Sequence, residues 1–309
     1  MAIKTGREEG TAQVSIDRSK CTNCGLCAQV CKGAPLRMEQ GELVVEQDRF
    51  FGCIGCGHCM SICPWDCITI NGRDISPEDI VPLPAQEKKA DYDQLLALFL
   101  SRRSIRNFRD KPVEHEMIDK IVAAVSTAPM GLPPSDVEIL VMDSQDQVRE
   151  FAADVIAAAK SSRWFFSPVV TWLLRPWFGK EYKESVDTFI RPAVDIFVDE
   201  WAEGHDYLLY GAPLAMYFHC SPYADPADPL IAATYAMLAA ESLGLGSCMI
   251  GTPAYFVKYN QKIKEKYGIP RKNQPGIVVI FGHPKLQFRK GIRRRLARVT
   301  YTSNRGRQG

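Results

Sequence analysis

The chain predicts an α+β protein built from two unequal units. Three observations carry that prediction: a ladder of four cysteines that occurs twice within the first 63 residues, a stretch rich in proline and charge behind it, and a longer remainder in which helical and strand periodicities mix without strict alternation. The boundaries read from these are a cysteine-ladder unit at 1–75, a linker at 76–92 and an α+β domain at 93–309. The remainder is long enough to bury a core of its own. A hydrophobic content of 46% with 24% charged residues excludes disordered and fibrous classes. No apolar run reaches the roughly 18 residues that crossing a bilayer takes, and the polar start "MAIKTGREEGTAQ" lacks the apolar run of a secretory leader.

In "CTNCGLCAQVC", Cys21, Cys24, Cys27 and Cys31 stand as C-x2-C-x2-C-x3-C, and the ladder returns in "CIGCGHCMSICP" as Cys53, Cys56, Cys59 and Cys63, followed by Pro64. A zinc site pairs two cysteines and leaves a gap before the second pair. Three thiols in quick succession instead suit a cubane cluster, whose fourth corner takes a distant cysteine. A disulfide framework and a structural zinc are the alternatives, and neither needs this ladder twice. At these residues, over about 12–72, the chain resembles the bacterial two-cluster ferredoxins. The resemblance implies two [4Fe–4S] clusters, one on Cys21, Cys24, Cys27 and Cys63, the other on Cys53, Cys56, Cys59 and Cys31. One departure is visible, since "KGAP" follows Cys31 and delays proline to Pro35. Cys67 lies outside the ladder and is expected as a buried thiol under a cluster; Cys220 and Cys248 are expected in the core. Thiolates that hold iron imply a reducing compartment, so a cytoplasmic protein is expected.

The linker "NGRDISPEDIVPLPAQEKKADYD" combines three prolines with mixed charge. Behind it, "DYDQLLALFLSRRSIRNFRD" opens with a carboxylate cap and predicts a helix ending in a knot of arginines. "EHEMIDKIVAAVSTAP" predicts a second helix with Met117, Ile118, Ile121, Val122 and Val125 on one face, stopping at Pro129 and Gly131. "DVEILVMD", "APLAMYFHC" and "PGIVVIFGHP" read as core strands, and "PLIAATYAMLAAESLGLGSCMIG" as a small-residue helix closed by glycines.

"SRRSIRNF" places three guanidinium groups and a hydroxyl within five residues, a set suited to phosphate oxygens. Taken alone it reads as a solvated basic turn. With "TAPMG" after the second helix, "ESLGLGSCMIG" after the third and arginines near the chain's end, it resembles the flavin-dependent nitroreductase family, over about 93–301 with a weaker fit between 145 and 210. The resemblance implies FMN held by Arg102, Arg103, Ser104 and Arg106 at the phosphate and ribityl chain, and by Pro129, Met130 and Gly131 beside the ring. It adds Gly244, Leu245, Gly246 and Ser247 as a close backbone approach, with Arg294 as a late phosphate contact and Arg293 or Arg295 as one-residue slips. "LPPSD" after Gly131 departs from the family's pattern and leaves the partner of the flavin N5 unassigned. The glycine run closes a helix rather than opening one after a strand, so it gives no dinucleotide fingerprint.

"SSRWFFSPVVTWLLRPWFGKEYK" has no motif. Core packing or a subunit interface is the plain reading, against an aromatic cap over a substrate pocket or a foot on a membrane face. Eight Lys and Arg and no acid fall in 289–309, which leaves the rest of the chain at −6 against the whole chain's +2. The resemblance makes that basic tail partly internal, so nucleic acid is not an expected partner. The resulting expectation is an α+β iron–sulfur flavoprotein oxidoreductase: a ferredoxin-like 2[4Fe–4S] domain followed by a nitroreductase-like α+β domain. It would pass electrons between its clusters and FMN to reduce or oxidise a small aromatic or apolar substrate. Its partners would be ferredoxin or a similar low-potential donor and a second copy of itself, with no membrane partner. The alternatives are a non-catalytic electron-transfer module and a flavin reductase fed by NAD(P)H. His205 and His219 are the histidines weighed for proton transfer, and structural places are expected for both.

Overall fold

The computed structural model describes residues 2, 12–32, 34–131 and 136–302. In the small unit, β1 (Gln13–Ile16) pairs antiparallel with β4 (Ile68–Asn71), tying the start of the unit to its end. A hairpin of β2 (Leu36–Glu39) and β3 (Glu42–Val45) turns through Gln40 and Gly41, both at positive φ, as tight two-residue hairpins require. Each cysteine ladder enters a one-turn helix, α1 (Leu26–Val30) and α2 (His58–Ile62). The internal repeat is visible in the backbone itself. Asn23 and Gly55 sit at φ 54° and 72°, Gly25 and Gly57 at 76° and 73°, and Ala34 and Asp66 at 71° and 47°. Each pair is 32 residues apart, so one loop geometry is built twice. The core contains Leu36, Leu43, Met60, Ile68 and Ile70, with Ile75 and Ile80 packed against it. Packing of the small unit therefore continues past the expected boundary at 75, because the chain after β4 folds back over the second ladder.

The large unit holds one antiparallel sheet in the order β5 (Val137–Met142), β6 (Leu214–Cys220), β8 (Gln274–Gly282), β7 (Gly246–Ile250). Both faces are covered, which explains why β6 and β8 read as continuous apolar runs. Ala215 and Tyr217 of β6 join Val278 and Ile280 of β8 in one core, beneath α5 (Gln145–Ser162), α7 (Arg191–Ala202) and α9 (Thr252–Tyr259). Leu214, Met216, Phe218, Val279 and Phe281 face the other core, with α4 (His115–Val125) and α8 (Asp228–Ser242). Ala232, Ala233, Ala236 and Ala240 let α8 lie close on the sheet. At Gly276 the approach is closest: a Cβ there would stand 2.5 Å from the Phe218 carbonyl oxygen and 2.4 Å from Pro229.

The expected helices and core strands are present. α3 (Tyr92–Ser101) has the expected carboxylate cap, since Asp91 accepts from the Gln94 N–H at 2.8 Å while Gln94 bonds back. None of its residues is buried. Two features differ from the sequence reading. Gly246–Ile250, read as the end of a glycine-closed helix, is the edge strand β7, because Cys248 and Ile250 find partners on β8. The aromatic stretch is helical, as a 3-10 turn at Arg163–Phe166 and α6 (Pro168–Ser185), which bends at Gly179, φ 85°. Phe166 is buried against Phe165 and Tyr255, but Trp164, Trp172 and Trp177 are exposed by 63% or more. Core packing therefore fails for the three tryptophans, which the 3-10 turn (Trp164) and α6 (Trp172, Trp177) leave exposed. α10 (Gln261–Lys266) completes the fold.

Candidate functional sites

The two ladders produce two cavities, and each borrows a thiol from the other ladder. One is lined by Cys21, Cys24, Cys27 and Cys63, together with Cys67. The other is lined by Cys53, Cys56, Cys59 and Cys31. The crossing follows from the backbone: each one-turn helix ends in an extended residue, Cys31 at ψ 97° and Cys63 at ψ 113°, which carries the fourth thiol away from its own trio. Positive-φ residues around each trio create the concave backbone that cups anionic clusters. Four thiols converging on one cavity, twice over, fit the donor set of a cubane cluster. Burial pushes Cys59 up to about 12 and raises Cys27 and Cys53. Loading metal on these thiols therefore releases protons. Cys63 goes the other way: burial opposes, but the backbone N–H groups of Cys67 and Trp65 and the Cys67 thiol hydrogen-bond its sulfur and hold its pKa down. Cys220 and Cys248 are core residues, as expected.

In the large unit the arginine knot leaves α3 and runs beside β7. Ser104 bridges Ser247, and the Ile105 N–H donates to the Ser247 carbonyl at 3.0 Å. The two stretches that the sequence singled out independently thus lie side by side. Ile105 covers Gly246, where a Cβ would meet it at 2.8 Å. A cavity of about 600 Å³ opens here, lined by Arg103, Gly244, Leu245, Gly246, Arg289 and Lys290 among others. Arg103 Nε and the fully buried Ser247 hydroxyl find no hydrogen-bond partner among the described residues. The Arg103 Nη groups donate to the Arg102 and Leu100 carbonyls at 2.7 and 2.8 Å, and Glu241 also lines the cavity. Arg289, Lys290 and the two unspent donors are therefore what an anionic, polar cofactor would meet.

Other expected residues lie elsewhere. Arg102, Ser104 and Arg106 alternate with Arg103 and Ile105 along the segment and do not line this cavity; Arg106 stacks over the Tyr210 ring at 5.6 Å. Arg294 is exposed and outside the lining, whereas Arg289 and Lys290 are part of it. The cause is the crossing of the tail: Phe108 bridges Pro284, and Gly291 then passes Leu100 and Arg103 closely. The distance from the end of β8 was the signal for this, whereas the sequence reading counted from the family pattern. Pro129, Met130 and Gly131 are at the far end of α8, where the Gly131 N–H donates to Asp228 at 3.1 Å. Gly244–Ser247 follows the other end of this 15-residue helix, about 22 Å away at 1.5 Å per residue. One chain does not bring these halves together. Residues 132–135 of "LPPSD" fall outside the described residues. His219 is buried and bonded to Asn273 at 2.9 Å, and His205 pairs with Glu200 at 3.0 Å, so both have structural places.

The comparisons with known proteins match two separate parts of the chain. Residues 13–64 match the 4Fe-4S dicluster domain, and residues 99–283 match the nitroreductase family. FMN reductase (NAD(P)H) of Bacillus subtilis is 28% identical over 193 residues, covering 62% of this chain; the chain spans 66% of that relative's length. Ferredoxin-3 of Nostoc is 36% identical over 73 residues, covering 18% of this chain and 75% of its own length. Among solved structures, a nitroreductase with bound FMN from Desulfitobacterium hafniense is 20% identical with a TM-score of 0.49, covering 67% of this chain and 97% of its own. The Bacteroides fragilis nitroreductase with bound FMN is 17% identical with the same TM-score, covering 68% and 99%. The class is an N-terminal iron–sulfur dicluster domain joined to a flavoenzyme-type fold. The chain belongs to the nitroreductase family.

Proposed function

We propose that this chain is an iron–sulfur flavoprotein oxidoreductase, which reduces a small apolar or aromatic organic substrate with electrons from a ferredoxin or a similar low-potential donor. The observation that carries the reading is the presence, in one chain, of two crossed four-thiol cavities and a cationic cavity with unspent donors. When bound, [4Fe–4S] clusters supply one-electron steps and FMN links one- and two-electron chemistry. The residues proposed as cluster ligands are the eight ladder cysteines, in the crossed sets. Arg103, Arg289 and Lys290 hold the FMN phosphate, while Gly244–Ser247 and Ile105 form the backbone wall.

The same proposal includes a homodimer. α3 exposes Tyr92, Leu95 and Phe99, and the tail exposes Leu286, Phe288, Ile292 and Leu296. A second copy covering these would also bring its Pro129–Gly131 turn to the cavity that one chain leaves open. Among the described residues no helix is long and apolar enough to cross a membrane. A cytoplasmic location is proposed from the thiol chemistry.

A substrate screen of nitroaromatics and quinones with reduced ferredoxin tests this reading: turnover should appear in the intact protein and vanish when Cys31 and Cys63 are both replaced by serine. Turnover that survives the double replacement refutes the route through the clusters. The similarity to the Bacillus subtilis FMN reductase favours a second reading, direct use of NAD(P)H. Steady-state rates with NADH and NADPH decide between the two.

A further inference from the structure

The two cluster cavities are built by one repeated loop, so a difference between them at equivalent positions is informative. Cys67 and Pro35 are 32 residues apart, follow the paired positive-φ residues Asp66 and Ala34, and each lines the cavity that the fourth thiol of its own ladder, Cys63 or Cys31, crosses to join. One cavity thus has a thiol where the other has a proline. Cys67 is only 4% exposed, and its sulfur lies 3.4 Å from the Cys63 sulfur. It also reaches the Cys21 side chain. The Cys67 carbonyl accepts the Asp17 N–H at 2.8 Å, which fixes the residue at the entrance to β4. Resting on the proposed reading that Cys63 is a cluster ligand, the direction of this contact follows: a ligating sulfur is a thiolate and only accepts, so Cys67 is the donor.

We infer that Cys67 is a tuning residue, whose S–H donates to the Cys63 sulfur and raises the reduction potential of that cluster alone. The partial positive charge of a donated proton favours the more negative, reduced state of the cluster over the oxidised one. Pro35 has neither S–H nor N–H to offer, so the partner cluster lacks this stabilisation. Cys67 need not become a ligand, since four thiols already complete the cavity.

Potentiometric titration of the full-length protein, followed by paramagnetic resonance, reads this directly. Cys67→Ala and Cys67→Val, the second filling the vacated space without a donor, should each lower one cluster's potential. The expected change is about tenfold in its reduction equilibrium, or about 59 mV for one electron. Cys67→Ser keeps a donor and should stay near the wild-type value, and the other cluster should not move in any variant. The inference is overturned if neither Ala nor Val shifts a signal, if Ser shifts as far as they do, or if both clusters shift together. Iron and labile-sulfide counts separate the two levels: a wild-type protein that lacks two clusters overturns the ligand reading itself.

Discussion

The small unit gathers four thiols at each of two cavities within one chain, whereas the large unit leaves the residues proposed for FMN at opposite ends of α8. Each cluster cavity has its four thiols, three from one ladder and the fourth from the helix end of the other ladder. The residues proposed for FMN are divided, with Arg103, Gly244–Ser247, Arg289 and Lys290 at one end of α8 and Pro129–Gly131 at the other. The difference follows from the chemistry of the two ligands. Metal–thiolate bonds demand short reach and fixed residue types, which two adjacent ladders in one small unit can supply. A large planar cofactor needs a long cleft, and in the proposed homodimer a second copy supplies its other wall.

The largest effect expected is on the clusters. Wild-type protein prepared without oxygen should carry about eight irons and eight labile sulfides per chain. Cys31→Ser should cost one cluster, namely the one with Cys53, Cys56 and Cys59, and spare the cluster on Cys21, Cys24 and Cys27. Loss of the second of these instead would break the crossed arrangement.

Next comes the phosphate end of the cradle. Arg103→Ala should weaken FMN binding by roughly tenfold to a hundredfold, or about 1.5–3 kcal/mol, and leave riboflavin binding nearly unchanged. The same pair of titrations on Arg289→Ala, Lys290→Ala and Arg294→Ala should place the late contact at the first two. Equal loss of FMN and riboflavin would mean that these cations hold something other than phosphate.

Gly276→Ala sharpens the contrast in stability. Its new methyl meets the Phe218 carbonyl and Pro229, neither of which can yield, so roughly 1–3 kcal/mol should be lost from the large unit. Calorimetry should show that transition falling while the iron content holds; parallel loss of iron would mean that the units are not independently built.

The smallest effect is a pH dependence. Burial lowers the pKa of His219 below its ordinary 6.5, with Lys264 adding to the shift and Glu138 opposing it. Below 6.5 the unfolded chain takes up a proton that the native chain refuses, so stability is whole above 6.5 and declines as pH falls toward the lowered native value. His219→Gln should flatten that slope in melts between pH 7.5 and 5.5, and an unchanged slope would assign it elsewhere.

The cysteine sites were legible because ligand spacing is a property of the chain itself, and the repeated positive-φ positions lie between and beside those cysteines. The sheet and its two main helices were legible from periodicity. Arg289 and Lys290 were not, since their place depends on where the tail crosses Arg103, which is a tertiary fact. Nor was β7 legible: its Gly246 and Ser247 are poor strand formers that pair only because β8 presents an edge. The exposed tryptophans of α6 also show that aromatic content alone does not fix burial.

The account turns on whether the large unit's site is finished by a second copy. Light scattering on FMN-loaded protein, with flavin counted by absorbance, measures this most directly. The account predicts twice the mass of one chain with one FMN per chain, and loss of FMN when dilution splits the pair. A protein of single-chain mass that keeps its FMN would contradict it.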